Sequence, residues 1–174
     1  MEFRTLERSE IEQIWTMDRR EVIEQTYRLE DGELRIRPDY FDMQGWPPDD
    51  VRKTTPRLYE SFDRGALFYG AYEGNLLVGV AVLDTLWRGP RRDLLQLEML
   101  HVSRDYRAQG LGSRLLKHAG AVARERGARG LYISATPSEN TIRFYQRHGS
   151  VLIGTTDPEL FAREPEDIHL ECSV

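Results

Sequence analysis

The chain has 174 residues, a single cysteine and a formal charge of -5, from 24 Lys+Arg against 29 Asp+Glu. This length supports one domain with a real core (residues 1–174), and the acidic balance argues against a general nucleic-acid binder, which carries a basic footprint. No apolar run approaches the roughly 18 residues of a membrane span, Met1-Glu2-Phe3-Arg4 lacks an export pattern, and a lone Cys172 makes no internal disulfide, so a cytoplasmic protein is expected.

In chain order, Glu2 to Leu6 reads as a short strand. Ser9 and Glu12 form an S-x-x-E capping box before a helix with Ile11, Ile14 and Trp15 on its apolar face. Glu21 to Glu30 and Glu33 to Arg37 flank Asp31-Gly32, a hairpin turn signal; their alternation is imperfect, and a helix running on past Arg20 is the alternative reading. The run from Tyr40 to Trp46 is aromatic and broken by Gly45; a wall over a binding site and an edge hairpin packed on the core are both open readings. Pro47-Pro48-Asp49-Asp50 opens a helix through about Phe62. Ala66 to Glu73 and Leu76 to Trp87 pair across Gly74-Asn75, and Leu94 to Val102 is a further strand. Leu111, Leu115, Leu116, Ala119, Val122 and Ala123 recur at helical spacing, and Gly127 stops that helix. Leu131 to Ala135 is a buried strand. Pro137-Ser138 starts a helix ending near His148-Gly149, and Val151 to Gly154 and Ile168 to Cys172 close the chain as strands. The order predicts a mixed α/β fold.

The informative stretch runs from Leu100 to Gly112, between a predicted strand and a predicted helix. Glycines there let the backbone approach a ligand, and the free N–H groups of a first helical turn suit a phosphate. Arg107 and Arg114 can add positive charge. Gly110-Leu111-Gly112 is only part of a dinucleotide fingerprint, because Leu115 stands where the third glycine belongs. No Walker A loop is present.

Arg107-Ala108-Gln109-Gly110-Leu111-Gly112 resembles the R/Q-x-x-G-x-G/A loop of the GNAT superfamily of acyl-CoA N-acyltransferases. Leu100-x-Val102 is similar to that family's strand end, and Asn140, Phe144, Tyr145 and Gly149 match its N-x-x-x-F-Y-x-x-x-G segment. Arg104 replaces a frequent proline, and Ala108 a frequent glycine, which alanine can replace unless the position needs positive φ. The resemblance implies a central sheet of about seven strands, splayed at the coenzyme site and flanked by about four helices, with residues 21–37 as an extra hairpin. It implies acetyl-CoA as co-substrate, with Gln109, Gly110, Leu111, Gly112 and Ser113 at the pyrophosphate and Arg107 and Ala108 in the same loop. Leu100, His101 and Val102 would lie along the pantetheine arm, Asn140 would bond the same arm, and the thioester would sit between two splayed strands near Leu100 and Tyr145. Dimers are common in this family, so a homodimer is implied as an option.

Acyl transfer to an amine needs a base for the ammonium, donors for the thioester oxygen and a proton for the leaving thiolate. Glu98 is the candidate base; it shares a strand face with Gln96, and pairing with an arginine is its structural alternative. Tyr145 is the candidate acid, and a core aromatic beside Ile142 is the alternative. His101 is a second candidate base, expected on the face opposite Glu98 if the strand stays regular. His118 and His169 have no partner at metal-ligand spacing, and no metal site is expected. The expected activity is transfer to a primary amine of a small molecule, with a protein amine or a non-catalytic acyl-CoA sensor as alternatives. Residues 101–150 hold nine Lys+Arg against three Asp+Glu, so the proposed coenzyme segment is the basic part of an acidic chain.

Overall fold

Turn chemistry builds the first half of the chain. Asp31 (φ 52°) and Gly32 (φ 79°) both take the left-handed conformation. They join β2 (Glu21–Glu30) to β3 (Glu33–Met43), a longer hairpin than the one expected at residues 21–37. Gly74 (φ 59°) turns β4 (Leu67–Glu73) into β5 (Leu76–Arg88). The computed structural model describes residues 1–174. It has one seven-stranded sheet in the order β1-β4-β5-β6-β7-β9-β8, with β1 at Glu2–Thr5, β6 at Leu94–Val102, β7 at Gly130–Ala135, β8 at Val151–Leu152 and β9 at Ile168–Ser173. Only β6 and β7 run parallel. The β2–β3 hairpin is a separate two-stranded sheet.

One face of the sheet is covered by α1 (Pro48–Asp63) and a 3-10 helix (Arg8–Thr16), which bury Leu58, Ile11 and Ile14 against Phe68, Val80 and Val82. The other face packs Leu115, Leu116 and Ala119 of α2 (Leu111–Glu125), and Ile142 and Tyr145 of α3 (Glu139–Arg147), on Leu95, Leu97, Leu131 and Ile133. The expected α/β class and seven-stranded sheet are therefore present. Two local readings change. The first helix is 3-10, and its capping box is Glu7/Glu10, not Ser9/Glu12: the Glu10 carboxylate accepts from the Glu7 N–H at 2.7 Å. A fourth α-helix, α4 (Pro158–Arg163), fills the expected loop before β9. Asp157 caps it and Pro158 occupies its first turn, a start signal present in the sequence. No helix is long and apolar enough to cross a membrane.

Candidate active site

The site is built on a defect in β6. Its pairing to β5 runs Val82↔Met99 and then Leu83↔Leu97, so Glu98 is an extra residue with no opposite number. The bulge reverses the side-chain phase. Leu95 and Leu97 before it, and Leu100 and Val102 after it, all pack towards α2 and α3. Met99 and His101 turn to the α1 face, where Met99 joins the Leu58 cluster and His101 lies against Trp46. His101 thus shares a face with Glu98, contrary to the regular-strand expectation. The physical reason is the slip in the apolar pattern, Leu95-x-Leu97-x-x-Leu100-x-Val102, which only a bulge can bury on one face.

At the same level the sheet opens. β6 pairs with β7 only from Leu94↔Gly130 to Leu97↔Ile133. The Ser103 N–H bonds the Val78 carbonyl at 2.8 Å, so beyond the bulge the odd-numbered residues of β6 bond β5. The backbone polar groups of Leu100 and Val102 therefore face the opening. The chain from Asp18 into β2 reaches across it. The Asp18 N–H donates to Ser103 Oγ (2.7 Å), while the Tyr27 N–H donates to the Pro137 carbonyl (2.7 Å) beside an isolated Thr26–Ser138 bridge.

Below the opening lies the glycine loop. Gly110 (φ 80°) precedes α2 without a side-chain cap, and the first turn of α2 carries no acidic residue. The amides of Leu111, Gly112 and Ser113 are unpaired within the helix, at its positive end, and suit an anion. A Cβ on Gly112 would lie 3.3 Å from Phe144, so α2 approaches α3 closely there. Ala108 has φ 59°: the position does require the left-handed conformation, and alanine adopts it at a cost. The Ser113 hydroxyl is already engaged, 2.8 Å from His148 Nε2, and His148 Nδ1 donates to the Phe144 carbonyl. Gln109 Nε2 donates to the Asp105 carbonyl, which braces the loop. Arg107 Nε donates to the Val102 carbonyl at 3.0 Å, and its Nη1 lies 3.6 Å from Glu21. Glu21 also accepts from Asn140 Nδ2 at 3.2 Å. The loop, the strand end and Asn140 are thus brought together, with β2 against them.

On the α1 face, Glu98 sits in a cluster with four residues that sequence reasoning missed. β5 loops Asp84, Thr85 and Leu86 out between its Leu83 and Trp87 pairings, which brings Asp84 beside Glu98. Ser61 Oγ of α1 lies 2.9 Å from Asp84 Oδ2 and 3.2 Å from Glu98 Oε2. Arg64 bonds Asp84 at 3.0 Å, and Arg57 Nε stands 3.8 Å from Glu98. Burial, then the hydrogen bond and charge of Asp84, push the Glu98 carboxyl up to about 6. Burial also acts on Asp84, but hydrogen bonds from Ser61, from Glu98, from the Thr85 N–H and from Arg64 outweigh it and hold that carboxyl below its usual range. These partners come from α1 and β5, and no local motif in the sequence marks them.

Tyr145 is 6 % exposed, on the α2 face, and its hydroxyl makes no hydrogen bond within the chain. Burial raises its pKa, so the phenol keeps its proton and can give one. His101 is pushed down to about 3 by burial and then by Arg107 and Arg19, so it is neutral, and its Nε2 is buried without a partner. Trp46 packs on His101 and donates its Nε1–H to the Met17 carbonyl at 2.9 Å; Tyr40 and Phe41 stay exposed. An open cavity of about 530 Å³ lies beside Trp46, lined by Trp15, Met17, Asp18, Arg19 and Gln44. Glu98, Leu100 and Tyr145 do not border it.

The whole chain superposes on nourseothricin acetyltransferase with a TM-score of 0.72 at 22% identity, covering 99% of this chain and 97% of that one. A protein assigned as a streptothricin acetyltransferase from Bacillus anthracis str. Ames, solved with acetyl coenzyme A, gives 0.68 at 19% identity over 99% of each chain. The ribosomal-protein-S18-alanine N-acetyltransferase of Escherichia coli gives 0.57 at 16% identity, over 99% of this chain and 93% of that one. No curated protein matches by sequence. The sequence model of the acetyltransferase (GNAT) family matches residues 23–150, which take in the bulged strand, the glycine loop and α3, and the chain belongs to that family of acyl-CoA-dependent acetyltransferases.

Proposed function

We propose that this single domain transfers the acetyl group of acetyl-CoA to a primary amine of a small molecule, by direct attack with both substrates bound. The observation that carries the reading is the opening between β6 and β7, with an uncapped helix N-terminus at one end and the buried Glu98 at its fork. The first-turn amides of α2, with Gln109, Gly110 and Arg107, fit a pyrophosphate. The outward backbone groups of Leu100 and the Val102 N–H fit an extended amide-bearing arm as an added strand would, while Arg107 holds the Val102 carbonyl. Acetyl-CoA supplies an activated acyl group at the fork. Two structural neighbours, from Bacillus anthracis and Thermoplasma acidophilum, are solved with acetyl coenzyme A and coenzyme A.

Glu98 takes one proton from the acceptor ammonium, leaving a neutral amine to attack the thioester carbon. The backbone N–H at Leu100 donates to the carbonyl oxygen as it gains charge. Tyr145 donates its proton to the sulfur as the C–S bond breaks, and the second proton lost by the nitrogen restores the phenol. Amide, free thiol and one released proton balance the step. β2 closing the opening between Ser103 and Pro137 favours a compact acceptor over a peptide laid across the sheet.

The test is thiol release from acetyl-CoA against a panel of amines that includes streptothricin-class compounds, polyamines and a peptide N-terminus. Turnover with a small amine supports the reading. Turnover with the peptide alone moves it to a protein acetyltransferase, and saturable acetyl-CoA binding without any turnover moves it to a sensor.

A further inference from the structure

We infer that Asp84 is a positioning residue for this reaction: through Ser61 it orients the Glu98 carboxyl and decides when that carboxyl holds a proton. The inference rests on the reading of Glu98 as the base. Three donors already converge on Asp84, namely the Thr85 N–H at 2.6 Å, Arg64 at 3.0 Å and Ser61 Oγ at 2.9 Å. Ser61 has one hydroxyl proton, and the shorter contact directs it to Asp84. Its oxygen then presents lone pairs to Glu98 Oε2 at 3.2 Å. With that proton on Asp84, a protonated Glu98 donates to the hydroxyl oxygen or to Asp84 directly, and the direct bond favours the proton on Glu98; an ionised Glu98 competes with Asp84 for the one hydroxyl proton. Asp84, 1 % exposed and fixed as an anion, thereby makes Glu98 a better proton acceptor than an ordinary glutamate.

The other charged groups around Glu98 do not cancel this. From α1, Arg57 faces it at 3.8 Å, with its Nε unbonded. From α4 and the turn after it, Arg163, Glu159 and Glu164 act on Arg57, the first opposing its charge and the other two favouring it. Arg64 is committed to Asp84. Glu98 therefore has one cation at 3.8 Å and one close anion, bridged by a hydroxyl whose single proton the two carboxylates compete for.

The experiment follows the Glu98 carboxyl directly, by 13C-carboxyl NMR titration of the full chain with the signal assigned against Glu98→Gln. The pH profile of kcat/KM is measured in parallel. Asp84→Asn is expected to move the Glu98 titration, and the acid limb with it, from about 6 towards the ordinary 4.5. Arg64→Gln, at a half-exposed position, strips the counter-cation from Asp84 and is expected to move both upward. The upward move should vanish when Arg64→Gln is made on the Asp84→Asn background. A Glu98 titration unmoved by either variant overturns the inference, and if Asp84→Asn does not fold, Arg64→Gln alone decides. If Glu98→Gln keeps wild-type turnover, the base reading fails separately, and the NMR titration still tests the link to Asp84.

Discussion

Glu98→Gln is expected to stabilise the fold while it removes activity. The Glu98 side chain is 7 % exposed, and its carboxyl is raised from 4.5 to about 6 by burial and Asp84. The folded state therefore binds more protons than the unfolded state between those two values. The stability tied to this group is fully present below about pH 4.5 and is lost as pH rises through about 6. At neutral pH the ionised carboxylate costs about 2 kcal/mol, at roughly 1.4 kcal/mol for each pH unit of the gap. Glutamine keeps the shape and discards the charge. Urea unfolding near neutral pH should give a gain of about 1–2 kcal/mol, or about 3–6 °C in Tm for a chain of this size. Near pH 4.5 the gain should disappear. Turnover with saturating acetyl-CoA should fall by about 100-fold or more with loss of the base. A loss of stability at neutral pH, or a gain equal at both pH values, would refute the argument that Glu98 is held against its ionisation.

Ala108→Gly should stabilise by about 0.5–1 kcal/mol in urea, because relief of the left-handed strain at φ 59° exceeds the entropy cost of glycine, and the side chain is exposed. Tyr145→Phe should leave stability within about 0.5 kcal/mol, since the hydroxyl makes no hydrogen bond in the fold, yet lower kcat by about 100-fold when chemistry limits the rate. Glu21→Gln frees Arg107 and Asn140 from a carboxylate that competes with the coenzyme. Calorimetry should show acetyl-CoA binding tightened by about two- to fivefold, the worth of one partly exposed ion pair.

Elements whose logic is local were legible. Gly74 and Asp31-Gly32 announced their hairpins because each turn demands positive φ at the tip. The leucine spacing of α2 and the glycine after it marked a helix by its buried face alone. The bulge at Glu98 was also written in the sequence, as the slipped spacing of Leu97 and Leu100, but strict alternation hides it and misplaces His101. Asp84, Ser61, Arg57 and Arg64 had no such signal. Asp84 reads as a lone acid inside an apolar strand, and Ser61 and Arg64 as ordinary residues near the end of a helix. Their meaning comes from packing α1 onto two strand irregularities, a contact between segments far apart in the chain. The left-handed φ of Ala108 was equally hidden, because alanine does not advertise a conformation that glycine would.

The β2–β3 hairpin leaves and re-enters the domain at almost one point. Trp46, after its last strand, bonds the Met17 carbonyl just before its first, and Asp18 is tied to Ser103 and Arg104 at the end of β6. A segment with such closely joined ends can be lengthened, shortened or exchanged while the seven-stranded sheet keeps its pairing, at the cost of the Glu21 contacts to Arg107 and Asn140. Selection can therefore rework the hairpin that roofs the opening while the anion-binding loop stays constant. A hairpin transplanted between members of this fold, cut at Met17 and Trp46, is the natural unit for redirecting such an enzyme to a new acceptor.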